Sequence, residues 1–266
     1  MNIKATNSKA LNLAAALLLG LMAVATAGAA EPTAESIMQA VYDRPQPADT
    51  SGLLTMTLID AKGRERVRSL EQRLATFGGV DKKIMEFKSP ADVKGTAFMN
   101  WSYAEAGRSD DQWIYLPALK RVKRISSDGK GDAFMGSDFS YDDLAERHPS
   151  RDTHAIIGSE IMNGEACWII ESKAKDATEG YSKTISWISK ERLTGFKREY
   201  YDRKGALLKT LSVQETRIIG GYLMITRTEM HNVQKNTRTR MEFADLKLDT
   251  GITDELFSER TLTRGL

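Results

Sequence analysis

Cysteine is nearly absent. Cys167 stands alone in 266 residues, so no disulfide forms within the chain. It lies in the run Ala166-Cys167-Trp168-Ile169-Ile170, where a thiol behaves as a small buried hydrophobe. Histidine is scarce too. His148, His154 and His231 share no metal-ligand spacing, which argues against a zinc-type site. The chain has no G-x-S-x-G elbow, no Walker loop and no G-x-G-x-x-G. Gly129-Lys130-Gly131 lacks the Lys-Ser/Thr ending a phosphate loop needs. Asp110-Asp111 and Asp142-Asp143 are neighbours in sequence, so their side chains diverge and read as solvated surface, not as an acid/base dyad. Asp138 reads as a turn cap. No catalytic residue, metal or cofactor is assigned, and the chain is expected not to be an enzyme.

An excess of charge is also missing. The chain carries 38 Lys+Arg against 36 Asp+Glu, and this balance gives no nucleic-acid footprint. Long apolar runs are missing everywhere except the N-terminus. There Lys4 and Lys9 precede an apolar stretch from Leu11 to Val24, followed by Ala25, Thr26, Ala27, Gly28, Ala29 and Ala30. The stretch is shorter than the ~20 residues of a membrane span. Residues 1–30 read as a cleavable signal peptide, with cleavage after Ala29 or Ala30. Loss of Lys4 and Lys9 brings the mature charge to about zero. Cys167 is far from the junction, so no lipid anchor is expected. Residues 31–266 are expected to form one soluble, monomeric domain outside the cytoplasm.

What is present is mostly period two. One amphipathic helix is expected over 32–43, from the stripe of Ile37, Met38, Val41 and Tyr42, with Thr33 as cap and Pro45 and Pro47 as stop. Alternating segments then run from Leu54 to Leu248, about ten or eleven strands in all. The turns between them include Lys62-Gly63, Gly78-Gly79, Asn163-Gly164, Asp202 to Gly205 and Gly220-Gly221. No helices alternate with the strands, which disfavours a parallel sheet. The expected class is mainly β: a long antiparallel meander that curls toward a barrel or half-barrel.

Residues 126–148 interrupt the meander. Phe134, Met135, Phe139, Tyr141 and Leu144 are too apolar for an idle loop. Ser140 and Asp143 resemble a capping pair for a short helix ending before Pro149. The segment is either a lid over a cavity or a plug in the open end of the sheet. Trp101 with Tyr103, and Trp113 with Tyr115, share faces at strand period. Lys120, Arg121, Lys123 and Arg124 form the densest basic run. This is either a solvated strand edge or a contact for anionic lipid or an acidic partner.

The string Trp113-Ile114-Tyr115-Leu116-Pro117-Ala118-Leu119-Lys120-Arg121-Val122-Lys123-Arg124-Ile125, with Phe134-Met135-Gly136-Ser137-Asp138-Phe139-Ser140-Tyr141-Asp142-Asp143-Leu144 after it, resembles the signature of periplasmic outer-membrane lipoprotein-sorting proteins of the LolA-like superfamily. Asp254-Glu255-Leu256-Phe257-Ser258 with Leu262 resembles that group's ending. The resemblance spans essentially residues 31–266. It implies an incomplete, half-open β-barrel of curved antiparallel sheet, with a helical lid over an apolar cavity. It implies no catalytic residues. It further implies carriage of lipid or lipoprotein acyl chains between membranes, and association with an inner-membrane exporter. The chain is longer than a typical carrier of this group, which leaves open another lipid as cargo. The alternative is an exporter accessory that carries no lipid and docks through a surface such as the basic run. The expected ligand-binding residues are Met56, Met99, Trp101, Trp113, Tyr115, Phe134, Met135, Phe139, Tyr141, Trp168 and Trp187. The expected partner-binding residues are Lys120, Arg121, Lys123 and Arg124.

Overall fold

The computed structural model describes residues 31–105 and 107–266; the expected signal peptide lies outside the described residues. The first element is helix α1 (Ala34–Tyr42), which the Thr33 hydroxyl caps by accepting from the Ser36 N–H at 3.1 Å. Ala34 and Ile37 form its buried stripe.

Thirteen strands follow: β1 (Asp49–Ile59), β2 (Glu65–Phe77), β3 (Val80–Ser89), β4 (Ala97–Tyr103), β5 (Asp111–Leu116), β6 (Arg121–Arg124), β7 (Asp152–Met162), β8 (Glu165–Ala174), β9 (Lys183–Ser189), β10 (Gly195–Tyr201), β11 (Leu207–Ile219), β12 (Tyr222–Asn232) and β13 (Thr237–Leu248). Each alternating segment forms its own strand, so thirteen replaces ten or eleven. The short β5 and β6 stay separate because Pro117 opens a 3-10 turn between them. Tight turns set the pairing. Asn163 and Gly164 both take positive φ (52° and 82°), as do Gly78 and Gly79 (57° and 78°). That backbone matches the twist of adjacent strands.

The strands make one antiparallel sheet in the order β6-β5-β4-β3-β2-β1-β13-β12-β11-β10-β9-β8-β7. The chain starts mid-sheet and meanders outward to the β6 edge. Residues 125–151 then cross to the opposite edge at β7, and the meander returns inward until β13 pairs with β1. The sheet is curved and open. β6 and β7 remain its two free edges, so the barrel does not close.

Paired residues in an antiparallel sheet point to the same side. The register of Ile114↔Phe98, Phe98↔Met85, Phe87↔Leu70, Leu70↔Leu54 and Met56↔Met241 therefore traces one face across the sheet. Met230 and Tyr200 continue it, and all these side chains belong to one core cluster. The other face of β2–β6 is apolar as well. It carries Ala75, Ile84, Ala97 and Met99, and the C-terminal segment with helix α2 (Glu259–Arg264) covers it through Phe257 and Leu262. Helix α1 packs Ala34 and Ile37 on Ile170 and Ile188 of the inner face of β8 and β9.

Candidate functional site

The inner apolar band is covered by the crossing segment. Residues 133–140 fold back on themselves through the Ala133↔Ser140 bridge, with the Phe134 N–H donating to the Phe139 carbonyl at 2.7 Å. Met135 and Gly136 at the tip both have positive φ. This small loop lowers Phe134 and Phe139 onto the band. The Phe134 ring is fully buried, with centroids 5.4 Å from Phe98, 5.8 Å from Phe87 and 5.6 Å from Tyr141. The Ser140–Asp143 capping pair forms reciprocally: the Ser140 N–H donates to Asp143 at 2.6 Å and the Asp143 N–H to Ser140 at 3.2 Å. The helix expected beyond it stops after one 3-10 turn, Asp142–Leu144, because Ala145 is extended.

Polar side chains of the sheet tie this segment down from both halves. Asp138 accepts from the hydroxyls of Thr237 at 2.5 Å and Thr239 at 2.8 Å, while its own N–H donates to Thr239 at 2.9 Å. Asp138 is thus a tie to β13, not a turn cap. Lys209 of β11 pairs with Asp143, and the Tyr181 hydroxyl donates to the other Asp143 oxygen at 2.9 Å. Both charged side chains of that pair are almost fully buried. Asp143 is therefore not solvated surface, as its sequence neighbourhood implied. From the first half, Arg68 donates to the Met135 carbonyl at 2.5 Å, Gln112 to the Tyr141 carbonyl at 2.9 Å and Lys83 to the Leu144 carbonyl at 2.6 Å. The segment is held by hydrogen bonds to side chains, not by a strand ladder.

A cavity of about 240 Å³ lies beside this segment, between α1 and the inner face of β7–β10. Met38, Val41 and Tyr42 of α1 form one wall, and Tyr200, Arg198 and Thr184 another. Asp142, Ala145 and Glu146 of the crossing segment form the third. Burial pushes the Asp142 carboxyl above its usual range. Burial also raises the Tyr200 hydroxyl to about 12 and holds Lys83, behind Glu146, below its usual range. A second, polar cleft of about 490 Å³ opens on the other flank of the segment, lined by Lys130, Asp138, Lys209 and Arg203 among others.

The expected ligand residues separate into groups. Met56, Phe134, Met135, Phe139 and Tyr141 come together at the inner band. Trp168 also faces inward, but under α1. Met99, Trp101, Trp113 and Tyr115 lie on the opposite face, packed under the C-terminal segment. Trp187 is on that outer side too, in a separate cluster with Cys167, and its indole N–H donates to Glu160 at 2.7 Å. Arg121 and Arg124 are exposed on the free edge strand β6, with Lys123 between them and Lys120 just before it. The ties Lys209, Thr237, Thr239, Arg68 and Gln112 went unnoticed in the sequence. An isolated lysine or threonine in a strand carries no local signal of a partner about a hundred residues away.

A family model described as an uncharacterized protein-like family matches residues 79–264. No curated protein matches the chain. Among solved structures, the chain is similar to an outer membrane lipoprotein-sorting protein domain from Vibrio parahaemolyticus. The two are 35% identical over 87% of this chain and 98% of that one, with a TM-score of 0.82. It is similar to a DUF1329 family protein from Desulfovibrio piger at 27% identity, covering 86% and 97%, with a TM-score of 0.82. It also shares the fold of a LolA superfamily protein from Nitrosomonas europaea at 20% identity, covering 86% and 99%, with a TM-score of 0.67. With a relative this similar over nearly its full length, the chain belongs to the family of outer-membrane lipoprotein-sorting protein domains, and its thirteen-stranded open sheet has the LolA-like fold.

Proposed function

We propose that residues 31–266 act, after removal of residues 1–30, as a single periplasmic carrier domain for lipid or lipoprotein acyl chains in transit between membranes, without catalysis. The observation that carries this reading is the continuous inner band of Leu54, Met56, Leu70, Phe87, Phe98, Met230 and Met241, capped by a segment that sheet side chains hold by hydrogen bonds. Lifting that segment exposes an apolar trough. An acyl chain of about 16 carbons gains on the order of 12 kcal/mol there, at ~0.8 kcal/mol per CH₂. An incoming chain takes up the apolar surface that Phe134, Phe139 and Leu144 leave and offsets part of the cost of releasing the ties. Met56, Met230 and Met241 suit such a trough because thioether side chains adapt to varied ligands. Native mass spectrometry of protein released gently from the periplasm is expected to find an added lipid mass that organic extraction removes. Consistently ligand-free protein that also fails to take up a fluorescent fatty acid overturns the reading.

A second reading, an accessory subunit docking to an inner-membrane exporter, draws support from the exposed basic edge at Lys120, Arg121, Lys123 and Arg124. In this reading the protein carries no lipid, so lipid uptake separates it from the first.

A further inference from the structure

The cavity beside the crossing segment is charged where the trough is apolar. Most charged groups in its wall are already paired there. Arg147 holds Asp152 at 2.6 Å and Glu179 at 3.2 Å, Lys183 holds Glu171 at 2.8 Å, and Asp143 holds Lys209. Three lining residues differ. Among the described residues, Arg198, Asp142 and Glu146 form no ion pair. Arg198 donates through Nε to the Ser186 hydroxyl at 3.0 Å, and its terminal nitrogens have no carboxylate partner. Glu146 lines the same cavity as Arg198 without pairing with it. The charges of Lys83, Asp81, Arg198 and Arg44 all act on Glu146. Glu146 is exposed and Asp142 half-buried, so both carboxylates are open to a ligand that enters the cavity.

An opposed cation and anion that cannot reach each other are both satisfied by a ligand of reversed polarity between them. The guanidinium accepts a phosphate in fork geometry. The carboxylates accept N–H bonds from a primary ammonium. The cavity, about 240 Å³, has room for a small polar head group. Met38 and Val41 of α1, with Ala145, supply an apolar rim where chains emerge.

The geometry points to this cavity as a head-group site for a zwitterionic phospholipid bearing a primary amine, with Arg198 on the phosphate and Glu146 and Asp142 on the ammonium. The inference rests on the carrier reading, because it assigns the head of an amphiphile whose chains the trough would hold.

The test uses three soluble probes with the same two six-carbon chains: dihexanoyl phosphatidylethanolamine, phosphatidylcholine and phosphatidylglycerol. Binding is measured by calorimetry on the mature chain. The expected result is that the ethanolamine lipid binds at least about tenfold more tightly than the other two. Glu146→Gln should erase that preference while leaving choline and glycerol lipid binding within about twofold. Arg198→Gln should weaken all three lipids alike, because each carries the phosphate. The thermal midpoint of each variant reports folding. Should Glu146→Gln fail to fold, Asp142→Asn takes its place with the same expectation. Equal binding of all three lipids overturns the head-group site and leaves the carrier reading standing. So does a preference that survives Glu146→Gln, or choline and glycerol lipid binding that Arg198→Gln does not weaken. Binding of none of the three overturns both.

Discussion

At the scale of single residues, buried carboxylates take two opposite roles. Asp49 is almost fully buried, which opposes its ionisation. Four bonds outweigh that cost: the Thr250 N–H at 2.9 Å, the Thr250 hydroxyl at 2.8 Å, the Gly251 N–H at 2.7 Å and the Ile252 N–H at 3.1 Å. The net effect holds its carboxyl below the usual range. A carboxyl depressed in the folded state stabilises above the unfolded value of about 3.9, and that stabilisation is lost as pH falls through the lower folded value. Asp49→Asn is expected to cost about 1–3 kcal/mol at pH 7. The gap between variant and parent should shrink as pH falls from about 4 to below 3. Urea unfolding across that range measures both. A gap that stays constant with pH would mean the charge of Asp49 does not matter. Asp110 and Asp142 work the other way. Burial raises both, so they favour the folded state least when pH is high enough to ionise them.

At the scale of elements, the crossing segment and the sheet are held by different kinds of bond, and that difference is measurable. Strands β1 and β13 share a nine-residue register around Met56↔Met241. Residues 132–144 have one bridge, a few turn bonds and the ties to Thr237, Thr239, Lys209, Arg68, Gln112 and Lys83. Segments with few backbone ladders open locally below the global free energy. Amide exchange in 132–144 is therefore expected to run at least about tenfold faster than in β1 and β13. Thr239→Val, which removes a hydroxyl from Asp138, should speed it further without changing β1. Equal protection in both regions would make the segment an integral part of the core.

The same scale explains what was legible beforehand. The strands and hairpins were visible because period two and paired positive-φ turn residues are local signals. The shared faces of Trp101 with Tyr103 and Trp113 with Tyr115 were visible for the same reason. Which face pointed inward was not. In β4, Phe98 and Asn100 face inward while Met99 and Trp101 face outward. Both sets are largely buried, because the C-terminal segment covers the outer side. Alternation between apolar and polar residues marks the inner face only where the other face meets water.

At the scale of the whole molecule, the sheet has two unlike edges. β6 is four residues long and displays Arg121, Lys123 and Arg124, a charged edge that resists pairing with another strand. β7 is eleven residues long and exposes Ile157 and Ile161, with a bulge between Ile156 and Gly158 that disturbs its ladder. The first edge is the basic one, whereas β7 exposes a single carboxylate, Glu160. Substituting Lys120, Arg121, Lys123 and Arg124 together with glutamate is expected to abolish pull-down of an inner-membrane exporter component and to leave fatty-acid uptake intact. Loss of uptake alone, with pull-down preserved, would place docking elsewhere.

The crossing segment leaves from one of these edges and arrives at the other. It is consequently a strap buckled at both ends, not a door on one hinge. A door swings without disturbing its frame, whereas a strap slackens only if its two anchor points draw together or its middle is pushed out. Each end of the strap is stitched into the rim of the open sheet, so displacing its middle and bending the sheet become one mechanical event. Anything that grips the rim, at β6 or at β7, also holds the tension on the cover.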